Sequence, residues 1–228
     1  MASKKQDADK LAAAQMAVRE VKAGMKLGVG SGSTLNMFVE ELGRKKYPFP
    51  VVCASNATEQ LAKKSGLKTT TLDELVKARK SPEEPILDLF VDGADEVDKS
   101  YNLIKGGGGA LTREKIIASA SSEFACIVDE SKIVAKIGKY PLPIEVIPFA
   151  VSFVSSELVE LGASVIQRPK FITDNGNPIL DVTGLDYKDP LGLETELNNI
   201  PGVVENGIFA VRQPEKIIVA KDGKARYL

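Results

Sequence analysis

The chain has 228 residues and a formal net charge of −1, with acidic and basic side chains mixed along its length. This pattern excludes the basic surface that nucleic-acid binding needs, and the short apolar runs exclude a membrane-spanning helix. The chain contains no histidine, which removes Ser-His-Asp and Cys-His catalysis and every zinc site that uses an imidazole. Any acid–base chemistry therefore falls to carboxylates, Lys, Tyr or water.

Cysteine usage and the N-terminal stretch indicate the cellular compartment. Cys53 and Cys126 lie far apart in apolar stretches, so neither a CxxC motif nor a disulfide framework is predicted. We expect both to be buried as small apolar side chains. The opening stretch MASKKQDADK lacks the apolar segment of a secretory signal. These features predict a cytoplasmic protein, and an organelle location after removal of a targeting peptide stays open.

Up to about residue 140, short apolar stretches alternate with helix-like ones. Strand-like runs are predicted at 25–29, 49–55, 67–72, 86–98 and 124–132. Helices are predicted at 9–23, 34–46, 57–66 and in the second half of 104–124. The stretch 34–46 shows the pattern well, because Leu35, Phe38, Val39 and Leu42 recur at helical spacing on one face. The alternation predicts an α/β fold, with an open, mostly parallel sheet and helices on both faces (Rossmann-like).

The pattern changes after about residue 140. Helices are predicted at 149–162 and 194–202, and the final strand-like stretch is expected to return to the main sheet. Antiparallel hairpins are predicted at the turn dipeptides Asn175-Gly176, Asn206-Gly207 and Asp222-Gly223. We therefore expect an α/β catalytic domain over 1–140 with 209–228, and a smaller α+β domain over 141–208.

The stretch GVGSGST (28–34) follows a strand and opens a helix, where backbone N–H groups and the helix dipole can hold an anion. Its glycine spacing fails the dinucleotide fingerprint, and it lacks the Lys of the phosphate loop in nucleotide hydrolases. A hydroxyl-rich turn with Ser31, Ser33 and Thr34 suits one terminal phosphate. The alternative is that Ser33 or Thr34 simply caps the helix.

Four carboxylates, Asp92, Asp95, Glu96 and Asp98, crowd the turn VDGADEVD (91–98) at the carboxyl end of a strand. In open parallel sheets that end lines the ligand crevice. The cluster could supply an acid and a base, or it could bind Mg²⁺ or Ca²⁺, although its spacing does not fit an EF-hand loop. A solvated acidic turn is the third interpretation.

Lys105 and Glu114 bracket four glycines in IKGGGGALTREKI (104–116). Glu114 falls in the first turn of a predicted helix, where the helix dipole favours a carboxylate even without a function. The glycines suit a close approach of the backbone to a small ligand. GSGST, DGADE, this glycine run and DESK, which ends in Lys132, all follow predicted strand ends. We therefore expect them to share one crevice.

In this order and spacing, GVGSGST, VDGADEVD, IKGGGGALTREKI and DESK resemble the A-type ribose-5-phosphate isomerases. PLPIEVIP, TDNGNPILDV and NIPGVV are similar to later segments of that family, so the resemblance covers nearly the whole chain. It implies interconversion of D-ribose 5-phosphate and D-ribulose 5-phosphate through an enediolate, in the pentose phosphate pathway. It also implies no metal, no organic cofactor, a small sugar phosphate as the binding partner, and a homodimer or homotetramer.

The resemblance implies roles for individual residues. Glu114 would be the catalytic base, and Asp92 and Asp95 would assist ring opening and proton transfer. Lys105 would hold the substrate and stabilise the intermediate. The implied substrate-binding residues are Ser31, Gly32, Ser33, Thr34, Gly93, Ala94, Gly106, Gly107, Gly108, Lys132 and Lys10. Because the family often has Ala where this chain has Gly109, that glycine is expected to tolerate a Cβ.

Two other functions stay open from the sequence. Coenzyme A transferases have a related architecture but use Glu as a nucleophile. A non-catalytic sugar-phosphate-binding module of the same fold is the second alternative. Such a sensor would be expected to carry a DNA-binding segment, and the first 24 residues are short and nearly neutral.

Overall fold

A computed structural model describes residues 4–228 of the chain. The chain divides into two compact units. The first, here the parallel-sheet unit, comprises the described residues up to 93 together with 113–131 and 214–228. The second, here the antiparallel unit, comprises 94–112 and 132–213. The predicted domains, 1–140 with 209–228 and 141–208, stay a prediction that limited proteolysis would test.

Seven α-helices and thirteen strands are present among the described residues. The helices are α1 (Lys4–Glu20), α2 (Ser33–Arg44), α3 (Asn56–Lys64), α4 (Leu72–Ala78), α5 (Leu111–Ser119), α6 (Val151–Glu160) and α7 (Pro190–Asn198). The strands are β1 (Leu27–Val29), β2 (Val51–Cys53), β3 (Leu87–Asp92), β4 (Glu96–Val97), β5 (Leu103–Ile104), β6 (Ser121–Asp129), β7 (Leu142–Val146), β8 (Ser164–Gln167), β9 (Ile179–Thr183), β10 (Val203–Asn206), β11 (Ile208–Phe209), β12 (Lys216–Lys221) and β13 (Lys224–Tyr227). Short 3₁₀ turns cover Glu130–Lys132 and Pro148–Ala150.

The parallel-sheet unit is built on a six-stranded sheet in the order β13-β12-β6-β3-β1-β2. Every pair in it is parallel except the edge pair β12–β13. Val29 of β1 pairs with Val91 of β3 on one side and with Cys53 of β2 on the other. The carboxyl ends of these strands therefore lie along one edge of the sheet. The predicted return of the last strand-like stretch is confirmed, because β12 pairs in parallel with β6.

Helices cover both faces of this sheet. On one face, Leu89 and Val91 pack in a single core with Ala17 of α1 and Phe38 of α2. Side chains alternate along a strand, so Phe90 points to the other face. There the side chain of Ile117 in α5 fills the space over Gly28 and Phe90. The predicted α/β fold with a mostly parallel sheet is thus confirmed.

The antiparallel unit has a four-stranded sheet in the order β10-β7-β9-β8 and a three-stranded sheet in the order β11-β5-β4. Every strand pair in both sheets is antiparallel. Its own core gathers residues such as Ile144 of β7, Val154 of α6 and Leu197 of α7, all of which are fully buried. The unit therefore has an apolar core separate from that of the parallel sheet.

The strand predicted at 67–72 is wrong. The stretch 67–72 forms no strand beyond a single bridge from Thr69 to Val51, and α4 begins directly after it. Thr71 caps α4 through a capping box, in which the Glu74 amide donates to the Thr71 hydroxyl and Glu74 accepts from the Thr71 amide. The T-x-x-E spacing was the sequence signal for this helix.

The predicted hairpins have different outcomes. Asp222-Gly223 joins β12 and β13 with Lys221 opposite Lys224, and both turn residues have positive φ, as a two-residue turn of this kind requires. Asn175-Gly176 lies in the loop between the antiparallel strands β8 and β9. The hairpin predicted at Asn206-Gly207 is wrong, because β10 pairs with β7 whereas β11 pairs with β5. The buried Asn206 side chain accepts from Ile208 and donates to the Glu194 carbonyl, which fixes this change of sheet.

Within residues 4–228, none of the helices has the length and apolar character that crossing a membrane requires.

Candidate active site

Asp92 ends β3 at the carboxyl edge of the parallel sheet and is fully buried. Its Oδ1 accepts hydrogen bonds from the amides of Gly93, at 2.7 Å, and Ser31, at 3.1 Å. Ser31 follows β1, the strand next to β3, so the register of the sheet brings these groups together. Backbone donors of this kind stabilise an ionised carboxylate.

Gly30 makes room for that carboxylate. A Cβ at this position would lie 1.8 Å from Oδ1 of Asp92, so no other residue fits unless Asp92 moves. The Gly30 amide donates to the Val91 carbonyl, and its carbonyl accepts from the Thr58 hydroxyl at 3.0 Å. Gly30 was not among the predicted site residues. Its signal was present in the sequence as the middle glycine of GVGSG.

Glu114 lies in the first turn of α5 and is 3% exposed. Its Oε1 accepts a hydrogen bond of 2.6 Å from the Ser31 hydroxyl. Ser31 thus links two buried carboxylates, Asp92 through its amide and Glu114 through its side chain. The Glu114 side chain is therefore buried and hydrogen-bonded, and a favourable position in the helix dipole does not by itself explain this arrangement.

The start of α2 does not fit the alternative in which Ser33 or Thr34 caps the helix. Gly32 is the N-cap residue, with φ 103°, and no side chain caps the helix. Ser33 is exposed and Thr34 is half-buried, so neither hydroxyl serves as the cap. The first amides of a twelve-residue helix therefore have no side-chain acceptor at the cap, which is the arrangement that binds anions.

In the antiparallel unit, Asp95 is held by Ile104, which lies just before the glycine run, and by Gly107 within it. Its amide donates to the Ile104 carbonyl at 2.8 Å, and its Oδ2 accepts from the Gly107 amide at 2.8 Å. Lys105 directly follows β5 and is 3% exposed, with its ammonium 5.4 Å from the centroid of the Phe209 ring. The Lys105 amide donates to the Gly207 carbonyl. These contacts fix both ends of the segment that leads into the glycines.

The four carboxylates of the acidic turn accept hydrogen bonds from different donors. Glu96 accepts from the amides of Gly138, Lys139 and Tyr140, and Asp98 accepts from Ser100 and Asn102. Both are more than nine-tenths buried, so the solvated-turn interpretation is wrong for them. In the described part of the chain, no three Cys, Asp or Glu side chains are grouped so that they could hold a metal ion. Glu96 and Asp98 thus act in folding the turn, which leaves Asp92 and Asp95 as its candidates for chemistry.

The glycine run forms a tight turn in which the Gly109 amide donates to the Gly106 carbonyl. Gly106 and Gly109 both have positive φ, at 100° and 82°. A Cβ on Gly107 would lie 2.6 Å from the Tyr140 hydroxyl and 2.7 Å from Asp95. The expectation for Gly109 is contradicted, because a Cβ there would lie 2.2 Å from Cζ of Phe171. In this chain the Phe171 ring occupies the space that an alanine would need.

A family model of ribose 5-phosphate isomerase A (phosphoriboisomerase A) matches residues 50–224. The chain belongs to the ribose 5-phosphate isomerase A family. Ribose-5-phosphate isomerase A of Acidithiobacillus ferrooxidans is 50% identical over 218 residues, which cover 95% of this chain and 95% of that protein. These matches confirm the predicted family and, with it, the predicted class of enzyme, an aldose–ketose isomerase.

Solved structures of ribose 5-phosphate isomerases match this fold closely. Ribose 5-phosphate isomerase A from Neisseria gonorrhoeae superposes with a TM-score of 0.90 at 39% identity, over 98% of this chain and 96% of that chain. A D-ribose-5-phosphate isomerase in complex with phospho-erythronic acid gives a TM-score of 0.88 at 39% identity, over 96% of each chain. Both cover nearly the whole length, so the fold is that of the family throughout.

Against this family background, the remaining predicted residues lie in different parts of the chain. Lys10 is buried in α1, 8% exposed, and belongs to the parallel-sheet unit. Lys132 ends the 3₁₀ turn after β6 and is half-buried in the antiparallel unit. Gly93 and Ala94 join one unit to the other along the chain. The single crevice predicted for all of these residues stays a prediction.

Three further residues of the antiparallel unit lie against the predicted site residues. Phe209 lies beside the Lys105 ammonium, Tyr140 lies beside Asp95 and Gly107, and Arg168 contacts the glycine run. Burial raises the pKa of Tyr140, and the negative charge of Asp95 raises it further, so its hydroxyl keeps its proton at neutral pH. These residues are distant in sequence from the motifs, and no local spacing signals them.

Proposed function

We propose that this protein interconverts D-ribose 5-phosphate and D-ribulose 5-phosphate through an enediolate intermediate, as a step of the pentose phosphate pathway. The observation that carries the proposal is the buried Glu114 carboxylate, held at 2.6 Å by Ser31 beside Asp92. Moving a proton between adjacent carbons needs a positioned base of this kind. Because the chain has no histidine, a carboxylate is the natural choice.

In this proposal Glu114 removes the proton from the carbon next to the sugar carbonyl and returns it to the neighbouring carbon. Asp92 and Asp95 assist ring opening and carry protons to and from the sugar oxygens. Lys105 stabilises the negative charge that develops on the enediolate oxygen. Its burial strengthens that effect, because a charge acts more strongly where water is excluded.

The substrate phosphate is proposed to bind at the start of α2, through Ser31, Gly32, Ser33 and Thr34. The uncapped amides and the two outer hydroxyls support this role. Lys10 and Lys132 are proposed to add positive charge for the substrate. Anchoring the phosphate lets remote binding energy orient the reacting carbons. One relative was solved with phospho-erythronic acid, a phosphorylated sugar acid, which supports a ligand of this class.

The backbone of Gly93, Ala94 and Gly106–Gly108 is proposed to line the sugar. The close contacts that a Cβ would make at Gly106 and Gly107 support this part of the proposal. Gly106 would meet Leu111 at 2.9 Å, and Gly107 would meet Tyr140 and Asp95. Glycine is therefore required at these two positions, and in this proposal the bare backbone of the turn faces the sugar.

The test is Glu114→Gln, which keeps the shape of the side chain and removes the base. We expect kcat for ribose 5-phosphate to fall by at least about a thousandfold, which is about 4 kcal/mol of barrier. Binding of ribose 5-phosphate, measured by calorimetry, should be largely kept because the phosphate contacts are unchanged. A variant that keeps more than roughly a tenth of the wild-type kcat would show that another group is the base.

Two further assays separate the isomerase from the two alternatives. The family match favours the isomerase over a coenzyme A transferase or a non-catalytic sugar-phosphate module. A transferase would form a Glu114 thioester that borohydride traps in the presence of an acyl-coenzyme A. A binding module would bind ribose 5-phosphate without turnover in an assay with no added cofactor.

We also propose that the protein acts in the cytoplasm as a homo-oligomer, a dimer or a tetramer. Support comes from the family to which the chain belongs. Light scattering coupled to size-exclusion chromatography would give the mass of the particle, and a monomer at assay concentration would contradict the oligomer.

A further inference from the structure

Arg168 directly follows β8 and has a side chain that is 15% exposed. Its guanidinium forms a two-point ion pair with Asp181, with Nε 2.9 Å from Oδ2 and Nη2 2.6 Å from Oδ1. The guanidinium carbon also lies 5.1 Å from the centroid of the Phe171 ring. Asp181 is on the adjacent strand β9, opposite Ile166, so the sheet register sets the position of the pair. The guanidinium is therefore held from two sides.

The remaining N–H groups of Arg168 point at the glycine run. Nη1 lies 3.2 Å from the Gly107 carbonyl oxygen and 3.4 Å from the Gly106 carbonyl oxygen, and Nη2 lies 3.5 Å from the latter. Each contact is long for a hydrogen bond and weak alone. Together they hold the Arg168 guanidinium against the carbonyl oxygens of two consecutive residues.

The peptide group between Gly106 and Gly107 is held at both ends. Its carbonyl faces Arg168, and its N–H donates to Asp95 at 2.8 Å. In a trans peptide the C=O and N–H groups point in opposite directions. Arg168 and Asp95 therefore contact opposite edges of the same planar peptide group. Glycines have no side chains to restrict them, so these contacts add to the Gly109–Gly106 hydrogen bond in fixing the conformation of the turn.

We propose that Arg168 is a positioning residue for the isomerisation. By fixing the carbonyls of Gly106 and Gly107, it orients the Gly107 amide that holds Asp95, and it sets the path of the backbone between Lys105 and the start of α5. Arg168 acts through the glycine run and Asp95 and is assigned no contact with the substrate. This inference rests on the proposed function of Asp95 and of the glycine backbone.

The first test compares Arg168→Lys and Arg168→Ala with the wild type. A lysine keeps the charge but cannot span Asp181 and two carbonyls, because it lacks the planar fork. We expect both variants to lose about tenfold or more in kcat, about 1.4 kcal/mol of barrier, whereas KM changes less than about threefold. Urea unfolding of each variant shows that the fold is intact under the assay conditions.

A matched pair of aspartates tests the role of the ion pair. Asp181→Asn loosens Arg168 without removing it, so kcat should fall in the same direction by a smaller factor. Asp186→Asn is the control, because Asp186 lies in the same unit and pairs with the exposed Lys136 and Lys188 instead. Its kcat should equal that of the wild type.

Chemical rescue separates positioning from a general loss of stability. Free guanidinium, added to Arg168→Ala far below concentrations that unfold the protein, should restore part of the lost kcat, whereas methylammonium should not. Unchanged kcat in folded Arg168→Lys and Arg168→Ala would overturn the inference. So would a loss of kcat in the Asp186→Asn control equal to that in Asp181→Asn. An inactive wild type would instead overturn the proposed isomerase function itself.

Discussion

At the scale of single residues, Ser31 connects the two buried carboxylates of the parallel-sheet unit. Its amide bonds to Asp92 and its hydroxyl bonds to Glu114. These two bonds come from different parts of the same residue, so they can be separated by mutation. The hydroxyl is the part that holds the proposed base.

Ser31→Ala removes that hydroxyl and keeps the backbone bond to Asp92. A hydrogen bond to a charged group is worth about 1.5–3 kcal/mol, so we expect kcat/KM for ribose 5-phosphate to fall by at least roughly tenfold. Ser31→Thr is the matched control, because it keeps the hydroxyl and should retain most of the activity. Steady-state kinetics of both variants checks this, and equal activity in alanine and threonine variants would contradict it.

The proposed reacting residues could be predicted from sequence because they belong to short motifs at strand ends. Asp92, Asp95, Lys105 and Glu114 each follow or end a strand, or begin a helix, as the motifs indicate. Their environment could not be predicted. That Glu96 accepts three backbone amides from 138–140, for example, depends on a contact across more than forty positions. No local pattern distinguishes Glu96 from Asp95, its neighbour in the same acidic turn.

At the scale of elements, the turn of Gly106–Gly109 depends on an aromatic ring far along the chain. Gly109 has φ 82°, and the Phe171 ring lies where its Cβ would be. The sequence predicted the turn but not this neighbour, because Phe171 lies in the loop between β8 and β9. Local conformation and long-range packing therefore both require glycine here.

Gly109→Ala should lower the free energy of unfolding by about 1–3 kcal/mol, through the positive φ and the collision with Phe171. Phe171→Leu replaces the ring with a shorter side chain and should relieve the collision with the new Cβ. The double variant is then expected to be more stable than the sum of the two single effects predicts, with a coupling of about 0.5–2 kcal/mol. Urea unfolding of the four proteins measures this cycle, and strictly additive effects would show that Phe171 does not fill the space.

Helix α4 shows why some elements escape prediction. The threonines at 69–71 favour a strand, but the structure forms only one parallel bridge there, from Thr69 to Val51. The capping box of Thr71 and Glu74 then starts a helix with no buried residue. The helix was not predicted, because it has no apolar face to mark its period and its cap was the one local signal.

At the scale of the whole molecule, the α/β fold could be predicted because burial on both faces makes the central residues of the parallel strands apolar. The four central strand residues Phe90, Val91, Ala125 and Ile127 are all fully buried. The antiparallel unit was harder to predict because its strands change partners, as β10 and β11 do across Gly207. Pairing between distant strands leaves little local trace in the sequence.

The stability of the parallel-sheet unit should depend on pH through Glu20. Tyr227 donates a hydrogen bond to this carboxylate, Lys216 forms an ion pair with it at 2.9 Å, and these contacts hold the pKa of Glu20 below its usual value. A lowered folded pKa means that ionised Glu20 favours the folded state above the unfolded pKa. That contribution is lost as the pH falls through the folded pKa.

Glu20→Gln should therefore be less stable than the wild type at neutral pH, and the difference should shrink as the pH falls below about 4.3, where glutamate in the unfolded chain becomes protonated. At neutral pH we expect a difference of about 0.5–1 kcal/mol, because the side chain is partly exposed and solvent weakens the pair. Glu160→Gln, on an exposed position of α6, is the control and should change little at any pH. Urea unfolding across this range measures both variants. A Glu20→Gln deficit that stays constant down to acid pH would mean that the side chain stabilises by packing and not by its charge.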